Sequence, residues 1–255
     1  MDGDAWVILP TYNEAENLEA VVGGVRAAAP EAYVLVVDDR STDGTGALAD
    51  ALAEEDTNVE VLHRPGKAGL GRAYTAGFAH ALERAAGYVL EMDADLSHDP
   101  ADVPRLLAAA RDGADLVLGS RYVDGGGIEN WGLDRRLMSI AGCGYARRVL
   151  GVGVRDLTGG FKCFRAGALR AIDAHTATAQ GYAFQVELTW RVLALGLTVV
   201  ELPIRFRERR LGESKMSAQI ALEAAWRVPA LRYGRRRWRP LEADARRADA
   251  VMHEG

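Results

Sequence analysis

Short apolar runs alternate with longer segments of helical periodicity over the first 120 residues of the chain. The runs are rich in Val, Leu, Ile and Tyr and predict strands at residues 5–9, 33–37, 58–62, 88–92 and 115–118. The segments between them predict helices at residues 14–28, 44–53, 73–86 and 101–111. Because strands and helices alternate, the pattern predicts an α/β fold with a mostly parallel sheet flanked by helices.

The order of predicted elements changes after residue 120. The sequence there predicts a Gly-rich loop at 125–127, a helix at 133–150, a turn at 158–160, a helix near 184–194 and a strand at 198–204. The length of 255 residues and the apolar content of 49% suffice for one large core. We therefore expect a single catalytic domain at 1–225, with its acceptor side in the second half, then a basic aromatic segment at 226–240 and a poorly ordered tail at 241–255.

Positive charge is concentrated near the end of a chain whose net charge is −5. Residues 226–239 contain six arginines and no acidic residue, and Trp226, Tyr233 and Trp238 lie among them. This mixture favours contact with an anionic membrane surface or a membrane partner, and a solvated helix end is the alternative. No nucleic-acid-binding motif accompanies it, so we expect no nucleic acid partner.

The sequence gives few signs of secretion or of membrane insertion. Acidic Asp2 and Asp4 stand where a signal peptide has basic and apolar regions, and no run of roughly 18 apolar residues occurs. Cys143 and Cys163 are too few for a disulfide framework, and both are expected in the core. We expect a cytoplasmic protein that associates peripherally with the membrane.

Two acidic clusters follow predicted strands: Asp38-Asp39 after the second, and Asp93 with Asp95 after the fourth. The carboxyl ends of parallel strands share one edge of the sheet, where open α/β folds bind ligands. The clusters therefore point to a nucleotide and a divalent cation, with Asp39 where a base or ribose is read. The alternative is that each acid caps the helix that follows it.

Some neighbouring residues have simpler interpretations. Asn13 is expected to cap the first helix, and Asp43 could cap the second. Residues 66–71 fit no phosphate-loop pattern and are expected to form a flexible loop near the site. His98 is expected to pack or to begin a helix.

Seven motifs occur in the order found in dolichol-phosphate mannose synthases, which are inverting glycosyltransferases of the GT-A (Rossmann-like) class. They lie at residues 10–14, 38–39, 66–71, 93–95, 119–122, 156–161 and 212–215, and the similarity runs from about residue 5 to residue 220. The resemblance implies GDP-mannose as the donor, a polyprenyl phosphate as the acceptor, and Mg²⁺ or Mn²⁺ as the cofactor. Relatives with similar motifs transfer other sugars, so UDP-glucose is an alternative donor, and a non-catalytic nucleotide-binding subunit is a further alternative.

The resemblance also assigns roles to individual positions. Donor-binding roles fall on Pro10, Tyr12, Glu14, Val37, Asp39, Ala94, Arg209 and Lys215. Catalytic roles fall on Asp93, Asp95 and Arg121, with a metal site at Asp95 and Ser97, where some members have glutamine. Arg121, Arg135 and Ser139 match the site for the acceptor phosphate, although both arginines could be ordinary surface residues.

General chemistry supports these roles. A cation at Asp95 would neutralise charge on the departing diphosphate, and oxygen ligands suit Mg²⁺ or Mn²⁺. A lipid phosphate is ionised near neutral pH and can attack without a strong general base, so orientation should matter most. Asp156 could orient a loop or assist the acceptor, and the sequence leaves both roles open.

Overall fold

A seven-stranded sheet forms the centre of the computed structural model, which describes residues 3–177, 179, 181–208 and 227–233. The strands are β1 Ala5–Thr11, β2 Tyr33–Asp38, β3 Val59–His63, β4 Tyr88–Glu91, β5 Leu116–Ser120, β6 Gly127–Glu129, β7 Lys162–Arg165, β8 Val199–Pro203 and β9 Arg205–Arg207. The large sheet has the order β3-β2-β1-β4-β7-β5-β8, and β6 pairs with β9 in a separate two-stranded sheet. All pairs are parallel except those of β7, which runs antiparallel to both β4 and β5.

Helices cover both faces of the large sheet. They are α1 Ala15–Ala28, α2 Thr45–Glu55, α3 Leu70–Glu83, α4 Val103–Arg111, α5 Leu133–Leu150, α6 Ala166–Ala171 and α7 Gly181–Ala194. Two short 3₁₀ turns lie at Pro100–Asp102 and Ala174–Thr176, and residues 227–233 are also helical. The sheet and its helices form one domain.

The core consists of two apolar layers, one on each face of the sheet. Along β1, Val7 packs in the layer that contains Leu18 of α1, whereas Ile8 packs in the layer that contains Phe184 of α7. This alternation follows from the strand geometry, which points successive side chains to opposite faces. Because the strands are buried on both faces, their carboxyl ends are held in fixed positions at one edge.

The predicted fold class is confirmed, and the five predicted strands of the first half are present with ends that differ by one or two residues. The helix predicted at 133–150 has those bounds, whereas α3 begins at Leu70, three residues earlier than predicted. The antiparallel direction of β7 and the pairing of β6 with β9 were not predicted. Gly127, predicted to lie in a loop, begins β6.

Several predictions fall on residues outside the described part of the chain. Arg209, Lys215, most of the basic aromatic segment and the tail belong to this group. Within 227–233, Val228 is buried in the core and Arg232 donates a hydrogen bond to the carbonyl oxygen of Val149 at 2.7 Å. This part of the segment therefore packs against the domain.

No helix within the described ranges has both the length and the apolar character needed to cross a bilayer.

Candidate active site

A cavity of about 500 Å³ opens at the carboxyl edge of β1, β2 and β4. Its lining includes ten residues that the sequence predicted for the site: Pro10, Tyr12, Glu14, Asp39, Asp93, Ala94, Asp95, Ser97, Arg121 and Arg135. The parallel strands bring the first eight together, because each follows or ends a strand at the same edge. The two arginines come from the second half of the chain and form the opposite end of the cavity.

Asp39 lies at one end of the cavity, just beyond β2. Its carboxylate accepts hydrogen bonds from Arg64 and, at 3.3 Å, from the backbone N–H of Ala68. In the same loop the ammonium of Lys67 lies 3.8 Å from the ring centroid of Tyr12, a cation–π contact. Residues 67–69 of the predicted loop, together with Leu70 at the start of α3, therefore form a wall of the cavity next to Asp39.

Asn13 does not cap α1, so that prediction is wrong. The residue has a positive φ of 57°, and its side-chain oxygen accepts a hydrogen bond from the backbone N–H of Thr42 at 2.9 Å. The start of α1 is satisfied instead by Asp43, which accepts from Ala15 N–H at 3.1 Å and from Thr45 N–H at 3.0 Å. Burial raises the pKa of Asp43, but these hydrogen bonds and that of the Thr45 hydroxyl together hold it below its ordinary value. Asp43 thus fixes the starts of both α1 and α2.

The acidic pair follows β4 in a tight turn. Asp95 is 3% exposed and accepts a hydrogen bond from Ser97 N–H at 3.0 Å, while Leu96 between them has a φ of 60°. Asp93 is more open, with 28% of its side chain exposed. The turn therefore presents two carboxylates and the hydroxyl-bearing Ser97 along one wall of the cavity.

His98 packs in the interior, as predicted, and it also holds this turn in place, a role that the sequence did not suggest. Its Nδ1 accepts a hydrogen bond from the backbone N–H of Asp93 at 3.2 Å, and its ring stacks on Phe161 with centroids 4.9 Å apart. Burial lowers the pKa of His98 and outweighs the opposing effect of Asp93. The lowered pKa favours the neutral ring. An accepting Nδ1 places the ring proton on Nε2.

The donor set at this wall fits a divalent cation that also binds a ligand. The described residues contain no cluster of three or more His, Cys, Asp or Glu side chains that could enclose a metal ion. Asp93, Asp95 and Ser97 instead offer oxygen donors on one side only. Mg²⁺ is commonly held in this way, by one or two carboxylates together with substrate phosphates and water.

Arg121 is bound to Asp156 in a buried, two-pronged ion pair. Its Nε and Nη2 each donate to a carboxylate oxygen of Asp156 at 2.7 Å, its backbone N–H donates at 3.0 Å, and Nη2 also reaches the hydroxyl of Thr158 at 2.9 Å. Burial alone would raise the pKa of Asp156, but Arg121 lowers it below the ordinary value, and Asp156 in turn raises the pKa of Arg121. Asp156 therefore orients Arg121 at the cavity wall.

The far end of the cavity is basic and aromatic. The guanidinium of Arg135 lies 4.0 Å from the ring centroid of Trp131, and its Nη1 donates to Glu208 at 3.2 Å. Its buried Nε has no hydrogen-bonding partner in the described chain. Trp131 and Phe206 pack edge to face at 5.4 Å and complete this end.

Within the described part of the chain, two of the predicted site residues do not line the cavity. Val37 is fully buried in the core, and its backbone carbonyl, rather than its side chain, faces Thr11. Ser139 accepts a hydrogen bond from the hydroxyl of Tyr122 at 2.7 Å, one turn of α5 beyond Arg135. Val37 therefore lies behind the cavity wall, whereas Ser139 is half-buried on α5 next to the far end of the cavity.

Sequence reasoning gave no site role to several polar and aromatic lining residues, among them Lys67, Trp131, Tyr182, Gln185 and Phe206. Gln185 stands within the apolar pattern of α7, where periodicity indicates core. Trp131 and Phe206 belong to segments around the small sheet, for which the sequence offered no strand signal. No signal in the sequence separates Gln185 from Glu187, Thr189 and Arg191, which are also polar and buried in the same helix.

A buried polar cluster lies directly behind the acidic pair. Glu91 of β4 pairs in register with Lys162 of β7, and the Lys162 ammonium donates to the carbonyl oxygen of Gln185 at 2.8 Å and to the Thr189 hydroxyl at 3.0 Å. Burial raises the pKa of Glu91 to about 7, against the effects of Lys162 and Gln185. Burial also lowers the pKa of Lys162 to about 8, against the effect of Glu91.

Comparison with known proteins adds a family and a set of relatives. Residues 6–173 match the model of glycosyl transferase family 2. The chain is 51% identical over 223 residues to a polyprenol monophosphomannose synthase of Mycolicibacterium smegmatis, covering 87% of this chain and 84% of that protein. It is 52% identical over 237 residues to an undecaprenyl-phosphate mannosyltransferase of Micrococcus luteus, covering 92% of this chain and 96% of that protein.

Solved structures agree in fold. Glucosyl-3-phosphoglycerate synthase of Mycobacterium tuberculosis superposes with a TM-score of 0.69 at 20% identity, covering 91% of this chain and 80% of that one. A second structure of that enzyme, with Mn²⁺, UDP-glucose and glycerol 3-phosphate, gives a TM-score of 0.68 at the same identity and the same coverage. At this identity the likeness supports a shared glycosyltransferase fold.

Proposed function

Since the chain belongs to glycosyl transferase family 2 and is a glycosyltransferase, we propose that it transfers mannose from GDP-mannose to a polyprenyl phosphate, with inversion and with a divalent cation. The observation that carries the proposal is one continuous cavity, with the acidic pair on one wall and Arg135 at an end formed by a helix with an exposed apolar face. The names of the two relatives at 51% and 52% identity support mannose and a polyprenyl phosphate.

The donor nucleoside binds at the end of the cavity formed by the first two strands. Asp39, held by Arg64, receives hydrogen bonds from the base or ribose, and Tyr12 with Lys67 covers the nucleoside. Pro10 and Glu14 line the same end. Ala94 is small and buried, which lets the diphosphate approach the backbone between the two aspartates.

Asp93, Asp95 and Ser97 would hold a divalent cation, Mg²⁺ or Mn²⁺, next to the donor diphosphate. The bound cation supplies positive charge that offsets the charge developing on the departing diphosphate. The Asp95 carboxylate is held by the N–H of Ser97, the backbone of Asp93 is held by His98, and the Asp93 carboxylate accepts a hydrogen bond from the Tyr74 hydroxyl at 3.4 Å. Arg209 and Lys215, outside the described residues, are proposed donor contacts on the strength of the family motif.

Arg121, Arg135 and Ser139 receive the acceptor phosphate. Asp156 fixes the direction of the Arg121 guanidinium, and Arg135 offers a buried Nε–H with no partner of its own among the described residues. The phosphate is ionised at neutral pH, so these residues need only orient it for attack on the anomeric carbon from the face opposite the diphosphate. No residue is required as a strong general base.

The exposed face of α5 suits a lipid acceptor. Leu133, Leu137 and Ile140 follow one stripe of the helix and are 75%, 64% and 44% exposed. Arg135 on the same helix lines the cavity, so a lipid whose chain covers this stripe has its phosphate within reach of the site. The proposed working place is therefore the surface of a membrane, with the basic aromatic segment at 226–240 as a second contact.

The test is transfer of radiolabelled mannose from GDP-mannose to a short-chain polyprenyl phosphate in detergent with Mg²⁺ or Mn²⁺. Lipid-extractable label is expected for the wild type and for Asp112→Asn, an exposed control, and is expected to fall by a factor of about 100 or more in Asp95→Asn. UDP-glucose is offered in parallel. Label from UDP-glucose alone would show that UDP-glucose, and not GDP-mannose, is the donor. Binding of GDP without transfer from either donor would indicate a non-catalytic nucleotide-binding subunit.

A further inference from the structure

Gln185 stands out in the cavity wall because its buried side chain makes no hydrogen bond of normal geometry. The residue is 2% exposed, and neither Oε1 nor Nε2 has a well-placed partner among the described residues, although the carboxamide interacts with the Glu91 carboxyl. Native proteins rarely leave a buried amide without a hydrogen bond of good geometry unless a ligand or an ordered water completes it. Both ends of the amide lack such a bond, so either orientation of the amide leaves a polar atom for a ligand.

The position of Gln185 is fixed from behind. Its backbone carbonyl accepts hydrogen bonds from the Lys162 ammonium at 2.8 Å and from the Thr189 hydroxyl at 3.0 Å. The carboxamide lies close enough to Glu91 to influence the pKa of that carboxyl, although no hydrogen bond of normal geometry joins them. The helix is thereby anchored to β7, and the amide is held in front of it.

Gly160 opens the space between Gln185 and the acidic pair. A methyl group added at Gly160 would lie 3.6 Å from Oδ1 of Asp93 and 3.7 Å from Nε2 of Gln185. The glycine, the aspartate and the glutamine all line the cavity. The two polar side chains therefore face one small volume that the missing side chain leaves open.

This volume lies between the two ends of the site. Asp93 belongs to the wall proposed for the diphosphate, and Thr158, two residues before Gly160, is bound to Arg121 at the wall proposed for the acceptor phosphate. In a transfer from diphosphate to phosphate, the sugar occupies the space between these groups. Sugar hydroxyls both donate and accept hydrogen bonds, as a carboxamide does, and a neutral amide does not repel the neighbouring anions.

We infer that the Gln185 carboxamide binds a hydroxyl of the transferred hexose and so helps to determine which sugar the enzyme accepts. The inference rests on the proposed function, since it places a sugar nucleotide in the cavity. A site built to pair with a substrate hydroxyl rejects an analogue that lacks it, because its own buried polar groups are then left unpaired.

The test compares Gln185→Leu with the wild type on GDP-mannose, on its 2-, 3-, 4- and 6-deoxy analogues, and on GDP alone with Mn²⁺. The KM for GDP-mannose is expected to rise about 10-fold in Gln185→Leu, the worth of one hydrogen bond, while the Kd for GDP changes less than two-fold. For one deoxy analogue the wild type is expected to be impaired already, and Gln185→Leu to add no further loss. Equal losses with every analogue and with GDP would overturn the inference and assign Gln185 a structural role.

Two further variants separate the sugar contact from general damage to α7. Gly160→Ala is expected to raise the KM for GDP-mannose without raising the Kd for GDP, because the methyl group fills the volume that the sugar hydroxyl would use. This variant serves as the test if Gln185→Leu does not fold. Thr189→Val, one turn further along α7, is expected to lower stability with an unchanged pattern across the deoxy analogues. An unaltered KM in both Gln185→Leu and Gly160→Ala would overturn the inference in favour of a buried water.

A wrong role for Gln185 and a wrong donor give different results in these assays. If the wild type transfers glucose from UDP-glucose and not mannose from GDP-mannose, the proposed donor is wrong. The same variants compared on UDP-glucose and UDP would then decide the role of Gln185 independently.

Discussion

Asp156 and Arg121 show what a single buried contact does for the site. Their side chains are 0% and 4% exposed, and the carboxylate binds the guanidinium through both oxygens. Two charges buried in this way depend on each other, because removing one leaves the other uncompensated. The pair therefore acts as one unit that gives the cavity wall its shape.

Replacing Asp156 by Asn should destabilise the protein by about 3–5 kcal/mol, the cost of leaving a buried arginine unpaired. Urea unfolding measures the change. The matched control is Asp124→Asn, which disturbs a solvent-exposed ion pair with Arg155 and should leave the midpoint unchanged. A midpoint for Asp156→Asn equal to that of the control would show that the buried pair does not hold the wall together.

Glu91 should make stability depend on pH in the direction opposite to most carboxylates. Its pKa is raised from 4.5 to about 7 in the folded protein, so the folded state binds the proton more tightly than the unfolded state does. This contribution is complete below about pH 4.5 and is lost as the pH rises towards 7. Glu91→Gln should therefore gain stability relative to the wild type on going from pH 5 to pH 8, as measured by urea unfolding at each pH. A constant difference between the two proteins would contradict the shift.

Among single residues, those with a clear chemical pattern were predictable from sequence and those that act through packing were not. Asp39, Asp93 and Asp95 follow apolar runs, and the cavity contains all three. His98 and Gln185 gave only weak signals, because a buried polar side chain is recognisable only when its partners are known. Asn13 was misread because the hydrogen bond that it makes is with a loop 29 residues away.

At the scale of elements, α5 combines two roles that its sequence pattern does not separate. Cys143, Ala146 and Leu150 pack into the domain, whereas Leu137 and Ile140 face outwards. Apolar residues around much of a helix usually indicate a fully buried helix, and here the outer ones are exposed. The sequence pattern predicted the bounds of α5 correctly, because they depend on periodicity. The exposed stripe became visible only in the structure.

The double variant Leu137→Gln and Ile140→Gln should separate lipid contact from catalysis. We expect unchanged thermal stability, since both side chains are exposed, and an unchanged rate with a short-chain acceptor in detergent. With a long-chain polyprenyl phosphate in anionic vesicles the rate should fall several-fold, because less apolar surface contacts the bilayer. Equal rates of the double variant and the wild type in vesicles would show that the apolar face of α5 does not contact the bilayer.

At the scale of the whole molecule, ligand binding should appear as added stability. GDP at about 100 times its Kd with Mn²⁺ should stabilise the fold by about 2.7 kcal/mol and raise the melting temperature. Asp95→Asn, or wild type with EDTA, should show a much smaller shift with the same GDP, since the carboxylates would hold the diphosphate only with the help of a divalent cation. A shift of equal size without the cation would show that the diphosphate is held by the chain alone.

The overall architecture was predictable in its first half and less so in its second. Regular alternation of strand and helix from Ala5 to Ser120 predicts mostly parallel strands, so the edge that carries the acids follows, whereas the strand order became visible only in the structure. In the second half, β7 has only four residues and both ends are charged, so the local pattern does not indicate that it inserts between β4 and β5. Its place is decided by long-range pairing, which a local pattern does not encode.

The position of β7 also has a consequence for how the chain assembles. It is the strand that joins β3-β2-β1-β4 to β5-β8, and it lies after both of its neighbours in the sequence. During synthesis, β4 and β5 therefore leave the ribosome with unpaired edges and wait for β7, more than 40 residues later, to be made. The strands β1 to β4, which carry the residues proposed to bind the nucleotide, can pair before β7 is made. The acidic pair and Arg121 come to share one cavity only once β7 has docked between β4 and β5. A nascent chain halted before residue 165 would therefore have an incomplete site and unpaired edges on both β4 and β5, and it would be a natural target for chaperones.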